Sequence, residues 1–348
     1  MSFKERIDSA RRKLGDSLVI FGHHYQDDSV IQHVDKSGDS LELARLASKT
    51  SAEHIVFCGV HFMGESAAVL AKPGQKVYLP APDADCPMAQ MAPEQQLDAV
   101  LKALTSGGRK VVPLTYVNSS MAVKAVCARY GGSVCTSSNA EIMLRWAYDQ
   151  ADSVLFIPDK MLGRNMAKLL GIPSGQQYIL NIIDEGKILE ELGNPGKIEN
   201  SALLLWPGYC PIHADFLPEH IEKARRDFPN TKILVHPECA PEVVDLSDFA
   251  GSTSAIIKYV AEAPAKSVIG IGTEIRLVER LRKRYAGEKE IFPLLVSECE
   301  DMTKVNEANL AATLENIIAG TAIPLAVDPV QAGDARKALQ TMLDVCKL

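Results

Sequence analysis

Cys210 and His213 follow directly on a short apolar run: the stretch 203–216 reads LLLWPGYCPIHADF. Three leucines and Trp206 suit a fully buried strand, and Pro207 with Gly208 stop it. A soft sulfur and a titratable nitrogen at the carboxyl end of such a strand are what a metal site on an open α/β sheet requires. A single cysteine there is as well explained by packing, since free cysteines behave as small hydrophobes. The pair gains meaning only if other residues match its place.

Counting supplies the match. His23, Ser40 and Cys86 are separated by 17 and 46 residues, and His236, Thr253 and Cys299 by 17 and 46. Between these two sets, Asn118, Ser137 and Cys210 are separated by 19 and 73, and the surplus of 27 (73 minus 46) is about the size of a polar surface excursion within 178–201 around NPGKIEN. Each set reads as a strand ending in a polar aromatic or imidazole group, a Ser or Thr opening a helix, and a last strand ending in cysteine. That is a threefold internal repeat.

Three thiolates suit an iron–sulfur cluster or zinc, and spacing leaves both open. A cubane with three protein ligands keeps one iron free as a Lewis acid, which fits dehydration chemistry. Ser40, Ser137 and Thr253 can cap helices or hold anions at helix N-termini. The imidazoles and Glu238 can move protons.

The elements that must position these groups alternate strand, polar loop and helix. Apolar runs at 17–21, 55–60 and 76–80 begin the pattern, 110–114, 154–157 and 203–206 repeat it, and 232–235, 267–271 and 292–296 close it. This predicts a parallel α/β architecture. A chain of 348 residues is long enough for two or three domains. Its net charge of −7 removes any electrostatic case for nucleic acid. No apolar run approaches the ~20 residues of a membrane span, and the start of the chain lacks a secretory h-region, so a cytoplasmic protein with no membrane partner is expected.

The eight cysteines form no CxxC pair, so zinc ribbons and thioredoxin-like sites are not expected. Cys58 and Cys127 read as core residues, and Cys135 and Cys239 fall outside the last-strand position. His33, His54 and His220 read as surface residues. Glu65 and Glu274 read as helix-start caps or domain contacts, and Asp83 and Asp85 as groups that orient the Cys86 loop.

The segments GHHYQ, SGDSLELA, VFCGVHFMGES, LTYVNSS, CTSSNA, WPGYCPIH, VHPEC, AGSTS and SECEDM span about 22–302. In this order they resemble the quinolinate synthase family. The resemblance implies three similar αβα three-layer domains around a pseudo-threefold axis, with the active site at their common interface. The corresponding domains would be 1–85 with about 303–348, then 86–210, then 211–302.

The resemblance also implies condensation of iminoaspartate with dihydroxyacetone phosphate to quinolinate, phosphate and water, in NAD biosynthesis. An L-aspartate oxidase or dehydrogenase would supply the iminoaspartate. It implies a [4Fe-4S] cluster on Cys86, Cys210 and Cys299. It places the substrate against His23, Ser40, Met63, Tyr116, Asn118, Ser137, His213, His236, Glu238 and Thr253. Tyr25, Tyr116, His236 and Glu238 would serve as catalytic residues. The family more usually carries an aromatic where His24 stands, and no chemistry is assigned to 160–200. Two other classes stay open: a non-catalytic iron–sulfur protein, which would use four protein ligands, and a zinc-dependent hydrolase acting on a sugar phosphate.

Overall fold

The computed structural model describes residues 1–182 and 193–346. The expected excursion therefore lies partly outside the described residues. The protein is α/β, with three parallel sheets each flanked by helices. The first sheet is built from β1 (Leu18–His23), β2 (Lys36–Gly38), β3 (His54–Cys58) and β4 (Lys76–Tyr78), in the order β2-β1-β3-β4.

The second sheet contains β5 (Val111–Tyr116), β6 (Ser133–Cys135), β7 (Ser153–Ile157), β8 (Gln177–Ile179) and β9 (Leu203–Leu205), in the order β6-β5-β7-β9-β8. The third contains β10 (Lys232–Val235), β11 (Phe249–Ala250), β12 (Val268–Gly272) and β13 (Glu290–Pro293), in the order β11-β10-β12-β13.

The central strands are apolar on both faces because helices cover both faces of a parallel sheet. Every residue of β5, β7 and β9 is buried. The covering helices bury one stripe each; Ser40–Lys49 buries Leu41, Leu43, Ala44 and Ala47.

The first and third sheets share one strand order, and the second repeats it with β8 added at the edge beyond β9. This edge strand occupies part of the surplus counted in the middle repeat. Register refines the count. Gly22 pairs with Ser37, and 213 residues later Val235 pairs with Ala250. Gly22 also pairs with Cys58, but Val235 pairs with Gly272, 214 residues after Cys58. Cys86 and Cys299 are again 213 apart. The equal spacing of 46 thus hides one residue gained before β12 and one lost after β13.

Each second strand, β2, β6 and β11, escaped the reading of the sequence, because two or three residues show no period. None of the apolar runs in the sequence covers them.

Compact packing divides the chain in two. One unit holds Met1–Cys86, Asp215–His236 and Leu246–Val327, and the other holds Pro87–Ala214, Pro237–Asp245 and the tail from Asp328. Helix Glu307–Ala319 packs on helix Phe3–Leu14 in the first unit. Helix Pro329–Val345 packs instead on helix Met121–Arg129 and on β6. This corrects the expectation that 303–348 returns as a whole to the first domain. The reason is apolar matching: Ala335, Ala338, Leu339 and Met342 are fully buried, and Ser133 Oγ donates to Ala338 O at 2.9 Å.

Two further expectations are corrected. His33 is buried, and its Nε2 lies 2.7 Å from Glu307 Oε1. Glu65 sits inside helix His61–Leu70 rather than at its start. Glu274 does cap, accepting from Arg276 N at 2.8 Å.

Candidate active site

In the first unit, β1 ends on His23 and β10 is followed directly by His236, both buried. The turn after β1 is tied down by helix Ile275–Arg284. Arg280 donates to His24 O at 2.8 Å, to Gln26 O, and to Asp28 Oδ1 at 2.7 Å. Tyr25 is thereby held with its hydroxyl 2.7 Å from Thr273 Oγ1.

Burial pushes the His23 imidazole down to about 3, and His24, His236 and Arg280 push the same way against Asp39. His24 is likewise lowered to about 4, first by burial. His23 is therefore neutral near pH 7. Its Nδ1 accepts from Tyr25 N at 3.2 Å, which puts the remaining proton on Nε2 and makes that nitrogen a donor.

None of Ser40, Ser137 and Thr253 is the N-cap of its helix. Asp39 caps Ser40–Lys49, and Ser252 caps Thr253–Glu262. Ser137 lies in the turn ahead of Ala140–Tyr148, whose N-cap position is Asn139. Thr253 opens its helix with Oγ1 buried and unpartnered, and Ser254 Oγ is in the same condition. A buried hydroxyl without a partner at a helix N-terminus is suited to an anionic oxygen.

The second unit holds a hydrogen-bonded chain. Tyr116, at the end of β5, donates its phenol proton to Glu238 Oε1 at 2.5 Å. Glu238 Oε2 lies 2.7 Å from His213 Nδ1. All three side chains are buried. Cys210 belongs to the same cluster: one ligand atom each of Cys210, His213 and Glu238 lie within 4.8 Å of one another. His213 thus meets Glu238, a partner that the sequence had not named for it.

Asn118 follows β5 on a loop fixed by Ser119 Oγ, which donates to Tyr116 O at 2.8 Å. Lys124 Nζ donates to Ser119 O. Asn118 Oδ1 is buried and unpartnered.

The cysteines separate by exposure. Cys86, Cys210 and Cys299 are partly exposed, and the other five are buried. Burial raises Cys58 and Cys127 to about 12, which holds them as inert thiols. Cys299 is raised as well, first by burial. Cys86, Cys210 and Cys299 follow β4, β9 and β13, the last strand of each repeat. Acidic groups brace two of these loops. Asp85 Oδ1 accepts from Cys86 N at 2.8 Å, and Asp85 N donates to Asp301 at 3.1 Å. Glu274, salt-bridged to Arg276 at 2.8 Å, faces Cys299 N at 3.5 Å. Met63 is buried on helix His61–Leu70.

Reading the sequence missed Asn165, Thr273 and Arg280. Asn165 and Arg280 lie inside amphipathic helices, where nothing local marks them.

The model of one protein family, described as NadA, Quinolinate synthetase A protein, matches residues 5–344. Curated proteins named quinolinate synthase are similar along nearly their whole length. The one from Acidobacterium capsulatum is 42% identical over 99% of this chain and 93% of its own. Those from Corynebacterium glutamicum and Bacillus cereus are 45% and 42% identical, each over 98% of this chain and over 86% and 92% of their own lengths.

Proposed function

The chain belongs to the quinolinate synthase family, and on that premise we propose that it condenses iminoaspartate with dihydroxyacetone phosphate to quinolinate, phosphate and water. The observation that carries this reading is the buried Tyr116–Glu238–His213 chain beside the Cys210 thiol. It joins proton carriers to a soft metal ligand.

Cys86, Cys210 and Cys299 would hold a [4Fe-4S] cluster. Their partial exposure, against five buried cysteines, fits that donor set. When bound, the cluster supplies a Lewis acid for loss of a hydroxyl as water. Thr253 and Asn118, each with a buried unpartnered oxygen, together with Ser40, Ser137 and Met63, would seat the substrate. His23 would donate from Nε2 to a carboxylate.

The iminoaspartate carbon attacks the triose carbon that bears phosphate, and phosphate leaves. Tyr25 and Glu238 carry protons through the ketone–aldehyde shift, with Tyr116 and His236 beside them, before nitrogen closes the ring. An L-aspartate oxidase or dehydrogenase is the expected supplier of iminoaspartate, and NAD biosynthesis the use of the product. We place the reaction in the cytoplasm; no described helix is long and apolar enough to cross a membrane. The domain division at about 86 and 211 belongs to the same proposal.

A second reading, one zinc on Cys210, His213 and Glu238, is favoured by their closeness. Anaerobic purification with iron, sulfide and zinc analysis, joined to a quinolinate assay on the two substrates, decides. Brown protein that forms quinolinate supports the first reading. Colourless protein holding one zinc and forming none overturns it.

A further inference from the structure

Helix Lys160–Leu169 starts directly after β7. On it, Asn165 is buried, and both amide hydrogens are used on one short loop. Its Nδ2 donates to Pro237 O at 2.8 Å and to Cys239 O at 2.9 Å. These are the carbonyls on either side of Glu238. One planar amide bonded to both fixes the 237–238 and 239–240 peptide planes, which bracket Glu238, and so limits the direction in which its side chain leaves the backbone. Its carboxylate then reaches Tyr116 on one oxygen and His213 on the other.

The same helix has a second tie to this segment, from Lys168 to Asp245. Asn165 Oδ1 meanwhile stays buried with no partner. An unpaired acceptor is unfavourable in a core, and an apolar side chain would avoid it. The two donated bonds are what an apolar side chain could not supply.

We propose that Asn165 is a positioning residue for Glu238, and that it acts on the reaction only through that carboxylate. The proposal rests on the quinolinate synthase reading. Asn165→Ala leaves room for water at the two carbonyls, and Asn165→Asp keeps the shape while removing the donors; whichever folds with its cluster absorbance intact serves the test.

Single-turnover quinolinate formation should fall about 10- to 100-fold, with KM within about twofold of wild type, the range for misplacing a catalytic group. In a Glu238→Gln background the same substitution should lower the rate by less than about threefold. Unchanged kcat in the single variant overturns the proposal, and so does an undiminished loss in the Glu238→Gln background. Amide hydrogen exchange separates this outcome from failure of the functional reading. The Asn165 variants should accelerate exchange at the amides of 238–240 even if wild-type protein forms no quinolinate, and unaltered exchange there overturns the clamp itself.

Discussion

Two residue types in the site owe their state to burial rather than to identity. Among eight cysteines, partial exposure marks three. Cys210→Ser should therefore lower bound iron and sulfide sharply, whereas Cys239→Ser, at a fully buried position, should leave both unchanged; metal analysis after anaerobic purification reads the contrast. His23 shows the same principle for protons. Its folded value of about 3 lies below the ordinary histidine value of 6.5, so the unfolded chain binds a proton first as pH falls. Stability is then fully present above about pH 6.5. It is lost on acidification toward pH 3, at up to about 1.4 kcal/mol per pH unit for this group. His24 acts in the same sense between 6.5 and about 4. Denaturant midpoints at pH 7 and 5.5 should fall for wild type and fall less for His23→Gln.

At the scale of elements, loops at strand ends are fixed by backbone contacts that tolerate no added atom. Gly208 shows this two residues before Cys210. A Cβ there would stand 2.5 Å from Pro158 O, and its own carbonyl accepts from Lys160 N at 2.9 Å. Gly208→Ala should lower the melting temperature, at about 1–3 kcal/mol for overpacking, and should reduce iron content by shifting the Cys210 loop. Gly107→Ala, with open space at its Cβ, is the control that should change neither. The edge strand β8 makes a related point. It adds to a sheet whose first four strands already repeat the other two, so an insertion is accommodated without disturbing β5, β7 or β9.

At the scale of the whole molecule, a net charge of −7 would have to coexist with the anionic substrates proposed above. Helix N-termini such as those of Ser40–Lys49 and Thr253–Glu262 would meet that need without many lysines. The tail is structural on the same scale. Removing everything from Pro329 onward would expose Met121–Arg129 and forfeit the burial of Leu339, Met342 and two alanines. At ~1.5–3 kcal/mol per large side chain, the loss is about 5 kcal/mol, comparable with a domain's whole stability. Calorimetry of the truncated chain should show a lowered or missing transition beside a retained one.

The sequence by itself determined the α/β class, the threefold repeat and the three last-strand cysteines. Burial of a parallel strand writes itself as an apolar run, and a repeat writes itself as equal spacing. Its motifs also carried the family. What only the tertiary structure decided involves residues far apart in the chain. Glu238 meets Tyr116 and His213, Asn165 holds the loop of Glu238, His23 becomes neutral, and the last helix packs on Met121–Arg129. Hydrogen bonding and desolvation depend on what surrounds a group in space, and no local period or spacing records that.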